Sequence, residues 1–150
     1  MGQSLVKCYM HLIFSTKHRK PQIDESIEDE LHRYLGGICT QLQCQPIKIG
    51  GHVDHVHLLY MQSKKVTLMK FLEELKSHSS AWMKTKGEHL KDFYWQGGYG
   101  AFSVSPSEVE SVKKYIEGQH EHHKAWTFQD EYRRILKEHN KEFDDRYLWD

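Results

Sequence analysis

The order in which strand-like and helix-like segments follow one another constrains the fold of this 150-residue chain more than any other feature. Alternation and short apolar runs predict strands over residues 5–15, 46–50, 54–61 and 101–105. Amphipathic stripes predict helices that begin after Asp24, Thr67, Ser107 and Thr127, the last extending to about His139. The first six elements, β-α-β-β-α-β, match the split βαβ or ferredoxin-like arrangement. We therefore expect an α+β fold, an antiparallel sheet with two helices on one face plus C-terminal helices.

The predicted helix starts rest on residues suited to capping. Asp24 and Thr67 can accept hydrogen bonds from the free N–H groups of a first turn. Ser107 and Glu110 have the spacing of a capping box, and Pro106 stands near the same start. These signals place a third helix directly after the fourth strand.

Length, hydropathy and cysteine usage bound the class of protein. The chain is long enough for one core, so we expect a single domain over residues 1–150. It has no run of about 18 apolar residues, so no membrane span is expected. Cys8, Cys39 and Cys44 are odd in number and lack CxxC spacing. They predict reduced thiols and a cytoplasmic location rather than a zinc site or a disulfide framework.

The charge balance counts against a strongly basic nucleic-acid-binding surface. Lys and Arg number 21 and Asp and Glu number 21, which gives a formal net charge of zero. Local basic runs remain, among them Lys17-His18-Arg19-Lys20. Such a run is more often a solvated face, and contact of Arg19 and Lys20 with DNA is the functional alternative.

His55 and His57 are two residues apart in a short apolar run, and a strand would place both on one face. Two imidazoles so placed can converge on one divalent ion. The alternative is two hydrogen-bonded histidines on a half-exposed strand. The predicted strand is central in the split βαβ order, which favours a functional role. A histidine-triad hydrolase would need a third histidine at position 59, which is Leu59.

Tyr115 and Gln119 are four residues apart on a predicted helix and so share a face. A phenol with a pKa of about 10 is a poor nucleophile unless a metal aligns and neutralises its target. Gln119 could add a neutral oxygen ligand, and two nitrogens with one amide oxygen suit Mg²⁺ or Mn²⁺ better than a closed zinc site. The alternative is a boundary aromatic beside a surface glutamine. His122 and His123 continue this helix, where a solvated helix end is favoured over contact to phosphate or proton transfer.

An aromatic and glycine-rich loop precedes the fourth strand and contains Trp95 and Tyr99. These rings could cover the edge of the core. They could also stack on unpaired bases, with neighbouring glycines allowing close approach of the backbone. The sequence leaves both interpretations open.

Four segments carry a resemblance to a known family: His52-Val53-Asp54-His55-Val56-His57-Leu58-Leu59, Trp95 to Ser105, Tyr115-Ile116-Glu117-Gly118-Gln119-His120-Glu121-His122-His123, and Asp145 to Trp149. They resemble the HUH single-tyrosine transposases of single-strand insertion sequences and their relatives associated with repetitive extragenic palindromes. The histidine pair alone is a loose motif. The pair followed by YIxxQ at this distance is specific.

The resemblance implies an HUH endonuclease fold in which His55, His57 and Gln119 bind the metal and Tyr115 is the nucleophile. It further implies cleavage of single-stranded DNA, beside a hairpin, to a 5′-phosphotyrosine and a free 3′-hydroxyl. Family members act as homodimers in which one subunit's tyrosine helix can complete its partner's site. Two alternatives remain: a non-catalytic single-stranded nucleic-acid-binding domain, and a metal-dependent hydrolase with water as nucleophile and Tyr115 as an acid.

Overall fold

The computed structural model describes residues 2–150, which form a four-stranded sheet and five α-helices. In chain order these elements are β1 (Tyr9–Ser15), α1 (Glu25–Gln41), β2 (Pro46–His52), β3 (His55–Met61), α2 (Leu68–Lys84), β4 (Gly100–Val104), α3 (Val109–Glu117), α4 (Gln119–His122) and α5 (Phe128–Glu138).

The sheet has the strand order β2-β3-β1-β4, and every neighbouring pair is antiparallel. This is the order of the ferredoxin-like fold, so the predicted fold class is confirmed. In β3, His57 lies opposite Ile13 of β1 and Gly50 of β2. The histidine pair is therefore in the middle of the sheet and not at an edge.

Helices α1 and α2 cover the first face of the sheet. Leu12 and Phe14 of β1 face these helices together with Val56 and Leu58 of β3, because side chains alternate between the faces of a strand. The helices contribute Leu31, Leu35, Phe71 and Leu75, among others, to the same buried cluster. This side of the molecule is an apolar core.

Helices α3, α4 and α5 lie on the second face, so that both faces are covered. A smaller apolar cluster forms there from Ile13, Phe102, Phe128, Tyr132, Ile135 and Leu136. His55 and His57 alternate with Val56 and Leu58 and therefore project into this second layer.

Two glycines allow the second layer to approach the sheet closely. A Cβ atom on Gly50 of β2 would lie 2.7 Å from both Cγ2 and the backbone oxygen of Ile116 in α3. A Cβ atom on Gly100 of β4 would lie 2.7 Å from the hydroxyl oxygen of Tyr132 in α5. Glycine at these positions lets α3 and α5 pack against the strand backbones.

Three predicted helix starts are confirmed by side-chain caps. Asp24, Thr67 and Thr127 accept hydrogen bonds of 3.1, 3.1 and 3.2 Å from first-turn backbone N–H groups. The last predicted helix, expected to extend to about His139, ends at Glu138 with His139 as its C-cap.

The predicted capping box of Ser107 and Glu110 is wrong. Pro106–Glu108 forms a single 3₁₀ turn, and α3 begins only at Val109, with no side-chain cap. The Ser107 hydroxyl instead lies 3.2 Å from the hydroxyl of Ser105. A further difference is that the helix predicted to run on past Tyr115 ends at Glu117, and α4 starts after Gly118.

The first strand is shorter than predicted, since β1 begins at Tyr9 and residues 2–8 lie outside any strand. Cys8 is exposed while Cys39 and Cys44 are buried, and all three thiols are free, as expected. Within residues 2–150, no helix has the length and apolar character that crossing a membrane requires.

Candidate active site

His55 and His57 are fully buried beneath the second helical layer. Nε2 of His55 lies 2.9 Å from Oε1 of Gln119 in α4. Gln119 is itself 1% exposed, so the break at Gly118 turns this amide into the protein instead of leaving it on the surface. One chain thus brings the predicted amide to the predicted histidines.

Glu131 of α5 lies at the centre of the site, although it is not among the candidate residues predicted from the sequence. Its carboxylate is buried, with 1% of the residue exposed. Oε1 lies 3.1 Å from Nε2 of His57, and Oε2 accepts hydrogen bonds from Nε2 of Gln119 at 2.9 Å and from the Tyr115 hydroxyl. The helix offered a signal, because Glu131 falls on the same stripe as Phe128 and Ile135, and a carboxylate on an apolar stripe requires a partner.

The histidines at the end of α4 also belong to the site. Nε2 of His123 lies 3.0 Å from Oε1 of Gln119 and 3.3 Å from Oε1 of Glu131. Nε2 of His122 lies 3.3 Å from Oε2 of Glu131, yet it is buried without a hydrogen-bond partner among the described residues. The interpretation of His122 and His123 as a solvated helix end is therefore wrong: both rings turn inward to the carboxylate.

Outer partners fix the orientation of the imidazoles. Nδ1 of His55 lies 2.8 Å from Oδ1 of Asp54, and Nδ1 of His57 lies 2.8 Å from Nε2 of His11. Engaging Nδ1 in this way leaves Nε2 of both rings directed at the centre of the site.

Burial and charge shift the pKa values of the cluster in opposite directions. Burial opposes ionisation of Glu131, but hydrogen bonds with His123, His55 and His57 outweigh it, so its pKa lies well below the usual range. Burial also opposes the charged form of His55, but hydrogen bonds with Asp54 and Glu131 raise its pKa to about 9. The metal-free site is therefore a buried ion pair at neutral pH.

Tyr115 is half-buried and borders a cavity of about 360 Å³. Burial and the charge of Glu131 raise the pKa of its phenol, which is neutral in this arrangement. Nη2 of Arg134 lies 3.4 Å from the phenol oxygen, and the guanidinium lies over the ring at 5.9 Å from its centre. The rest of the cavity wall is formed by His11, Ser111, Val112, Ile135, Glu138 and His139.

These donors fit a divalent cation. Two groups offer three ligand atoms within 4.8 Å of one another: His55, His57 and Glu131, and His122, His123 and Glu131. Neutral imidazole and carboxylate are common ligands of divalent metals, and the orphaned Nε2 of His122 marks an unfilled bonding capacity.

The remaining candidates for DNA contact lie apart from this cluster. Trp95 is 6% exposed and donates to Oγ of Ser79 at 2.8 Å, so it belongs to the core and its face is not free to stack on a base. Tyr99 is 38% exposed and remains available. The Arg19 guanidinium lies 5.3 Å from the centre of the Trp149 ring, and Lys20 is exposed.

Comparison with known proteins assigns the family. The sequence model described as "Transposase IS200 like" matches residues 4–119. The chain is 30% identical over 116 residues to ISDra2 transposase TnpA of Deinococcus radiodurans, covering 74% of this chain and 83% of that protein. A crystal structure of a protein assigned as a transposase in Deinococcus radiodurans superposes with a TM-score of 0.62 at 27% identity, covering 79% of this chain and 96% of the other.

A REP-associated tyrosine transposase bound to a REP hairpin superposes with a TM-score of 0.62 at 12% identity, a likeness of fold that covers 85% of this chain and 74% of that one. The matched family range includes His55, His57, Tyr115 and Gln119, and it ends before His122, His123 and Glu131. With that match covering most of its length, this chain belongs to the IS200-like transposases.

Proposed function

We propose that this transposase cleaves and rejoins single-stranded DNA through a 5′-phosphotyrosine on Tyr115, at a site where His55, His57 and Gln119 bind a divalent cation. The observation that carries the proposal is the convergence of these four side chains on Glu131 within one chain. A non-catalytic nucleic-acid-binding domain has no need of such a buried, charged cluster, whose desolvation costs free energy.

A side chain of the protein can accept the proton of the nucleophile, and water can supply the proton of the leaving group. In cleavage, the Tyr115 oxygen bonds to phosphorus, and the bond from phosphorus to the 3′ oxygen of the preceding nucleotide breaks. The phenol proton moves along the existing hydrogen bond to Oε2 of Glu131, and the departing 3′ oxygen takes a proton from water. Attack by a 3′-hydroxyl reverses these steps and joins the strands without ATP.

The cation expected from the sequence is Mg²⁺ or Mn²⁺. When bound, it would neutralise charge on the non-bridging phosphate oxygens and orient the phosphate toward the phenol. His55 and His57 fit this role because their Nε2 atoms lie 3.4 and 3.1 Å from the same carboxylate oxygen of Glu131.

Arg134 supports a phosphodiester as the substrate. Its guanidinium lies 3.4 Å from the phenol oxygen and borders the open cavity beside it. A planar guanidinium binds phosphate through paired N–H groups. A strand lying in this cavity would have its phosphate between Arg134 and the Tyr115 hydroxyl.

The proposed partner is single-stranded DNA next to a short hairpin. A phenol on a helix cannot easily reach an in-line phosphate inside a stacked duplex, whereas an unpaired strand can bend into the cavity. Tyr99, Arg19 and Lys20 are the remaining exposed or partly exposed candidates for contact with bases and phosphates. The structural neighbour bound to a REP hairpin is consistent with such a partner. Because its thiols are free and its proposed substrate is DNA, we propose that the protein works in the cytoplasm.

The test of the reaction is cleavage of a labelled single strand by the full chain, with and without a chelator. We expect no cleavage with chelator, with His55→Ala or with His57→Ala, and a smaller loss with Gln119→Ala, because water can replace a neutral oxygen ligand. The matched control is His78→Ala, whose ring is exposed on α2. Unimpaired cleavage in chelator, or by either site variant, would contradict the metal assignment. Equal cleavage of blunt duplex would contradict the single-strand preference.

We also propose a homodimer, because strand exchange needs two cleaved ends held together and each chain has one candidate tyrosine. Mixing Tyr115→Phe with a His55→Ala, His57→Ala double mutant distinguishes two assemblies. Recovered cleavage indicates a tyrosine acting on its partner's histidines, and an inactive mixture indicates a site formed within one chain, as in the arrangement described above. Full strand exchange by a protein that sediments as a monomer would contradict the dimer.

A further inference from the structure

We infer that His123 and Glu131 complete the metal site, so that three imidazoles and one carboxylate bind the cation together with the Gln119 amide. This inference rests on the proposed function, because it concerns the same site. It adds two ligands that lie beyond the matched family range and that the sequence did not indicate.

The first argument is that three imidazole nitrogens converge on one carboxylate oxygen. Oε1 of Glu131 lies 3.1 Å from Nε2 of His57, 3.3 Å from Nε2 of His123 and 3.4 Å from Nε2 of His55. Ligand atoms at about 2.1 Å from a shared ion are about 3 to 3.5 Å apart. Each of the three nitrogens is therefore already at ligand-to-ligand spacing from this oxygen of Glu131, the residue that the two candidate ligand groups share.

The second argument is the orientation of His123, which matches that of the two HUH histidines. Its Nδ1 lies 2.7 Å from the backbone oxygen of Trp126, to which it can donate. Asp54 and His11 engage Nδ1 of His55 and of His57 in the same manner. A metal-binding imidazole is oriented by a hydrogen bond from the ring nitrogen that does not bind the metal. In His123 that nitrogen is Nδ1, as it is in His55 and His57.

The third argument is the cost of the cluster without a cation. His123 is 3% exposed in its side chain and Glu131 is fully buried in its side chain. His122 adds a buried Nε2 with no hydrogen-bond partner among residues 2–150, 3.3 Å from the other carboxylate oxygen. Together with the Gln119 amide and the Tyr115 hydroxyl, the four imidazoles exceed the roughly four lone-pair sites of one carboxylate, and a cation would use the surplus nitrogens.

The donor set also determines which cation is preferred. Three imidazoles and a carboxylate suit Mn²⁺, Co²⁺ or Zn²⁺, whereas Mg²⁺ favours oxygen ligands and retained water. Of the two cations expected from the sequence, this site therefore selects Mn²⁺ over Mg²⁺.

The test is calorimetric titration of the metal-stripped full-length protein with MnCl₂, MgCl₂ and CoCl₂. We expect Mn²⁺ and Co²⁺ to bind more tightly than Mg²⁺. Losing a residue that only orients a metal ligand typically weakens metal binding about 10- to 100-fold. We expect His123→Ala to weaken Mn²⁺ binding by at least this factor, and we expect the same of His57→Ala. His120→Ala is the control, since this ring on α4 is half exposed and hydrogen-bonded to Glu28 outside the cluster.

The visible spectrum of the Co²⁺-loaded protein gives a second readout that does not depend on activity. It should change with His123→Ala and with Glu131→Gln and stay unchanged with His120→Ala. If His123→Ala does not fold, as judged by its metal-free melting curve, His123→Gln takes its place. Mn²⁺ affinity that depends on His57 but not on His123 or Glu131 would overturn this inference and leave the proposed function standing. A wild-type protein that binds no divalent cation would overturn both.

Discussion

At the scale of single residues, Glu131 decides the character of the site. It is a buried carboxylate whose oxygens lie within 3.4 Å of nitrogens from His55, His57, His122 and His123. Removing a carboxylate from water costs several kcal/mol, which the surrounding donors must offset. The metal-free fold therefore depends on these contacts as much as the proposed chemistry does.

Glu131→Gln should destabilise the metal-free protein, because it removes the charge and leaves the histidines without their partner. Breaking a buried charged network in this way costs about 3 to 5 kcal/mol. Urea unfolding at neutral pH measures the change. Glu138→Gln is the control, since this exposed carboxylate on α5 pairs with Arg134 at 3.6 Å at the surface and its loss should cost less than about 1 kcal/mol. Equal stability of the two variants would contradict the central role of Glu131.

His32 on α1 provides a pH dependence that is separate from the site. Burial lowers its pKa from 6.5 to about 4, and its Nε2 has no hydrogen-bond partner among the described residues. As the pH falls, His32 is protonated in the unfolded chain before it is protonated in the folded protein. Stability is therefore lost as the pH falls from 6.5 toward 4. We expect His32→Gln to reduce the loss of unfolding free energy between pH 7 and pH 5 by about 2 kcal/mol. Parallel pH profiles for wild type and variant would contradict this.

The sequence pointed to His55, His57, Tyr115 and Gln119, and it missed both Glu131 and the inward turn of His123 for physical reasons. His55 with His57, and Tyr115 with Gln119, are visible because the spacing within a strand or helix places each pair on one face. Glu131 has its partners on other elements, so local spacing marks it as a carboxylate on an apolar stripe but does not indicate what it binds. The inward turn of His123 follows the break at Gly118, which the helical pattern did not reveal.

At the scale of elements, the site depends on how closely the second helical layer approaches the sheet. Helix α3 contains Tyr115 and rests on β2 where Gly50 has no side chain. Local signals located the helix starts at Asp24, Thr67 and Thr127, because capping is a contact within one turn. The 3₁₀ turn at Pro106–Glu108 was missed because the capping-box pattern does not exclude a tighter turn.

Gly50→Ala should disturb the site more than the fold. The new Cβ would lie 2.7 Å from the backbone of Ile116, next to Tyr115, and a backbone atom cannot rotate away. We expect about 1 to 3 kcal/mol of destabilisation and a loss of cleavage that exceeds the loss of DNA binding. Gly36→Ala is the control, because its Cβ would meet only Ile49 Cδ1 at 3.7 Å and alanine favours a helix. Unimpaired cleavage by Gly50→Ala would contradict the close-approach argument.

At the scale of the whole molecule, the two faces of the sheet have different roles. The face covered by α1 and α2 is an apolar core that contains Trp95. For this reason the Trp95 ring, in the loop that precedes β4, packs in the core and is not exposed for stacking on bases. The opposite face combines a smaller apolar cluster with the histidine and glutamate site. The strand and helix patterns predicted the sheet order. They did not predict that the second face holds the site, because this depends on how α5 packs against the sheet.

The neutral charge of the chain predicts a weak dependence of DNA binding on salt. Arg134 is the basic side chain among the residues that line the cavity, so we expect about three phosphate contacts and a slope of about −2 for log K against log salt on single strands. Fluorescence anisotropy with a labelled strand at several NaCl concentrations measures this slope. A slope steeper than about −5 would indicate an extensive basic surface that the zero net charge does not suggest.

The most direct measurement is the location of the covalent bond between protein and DNA. A single-stranded substrate is cleaved by the full chain with Mn²⁺, the adduct is digested with trypsin, and the nucleotide-bearing peptide is identified by mass spectrometry. We expect the DNA on the peptide from Tyr115 to Lys124, attached through its 5′ phosphate, and no adduct from Tyr115→Phe, which keeps the ring and its packing. Cleavage without an adduct, or an adduct on another residue, would contradict the assignment of Tyr115 as the nucleophile.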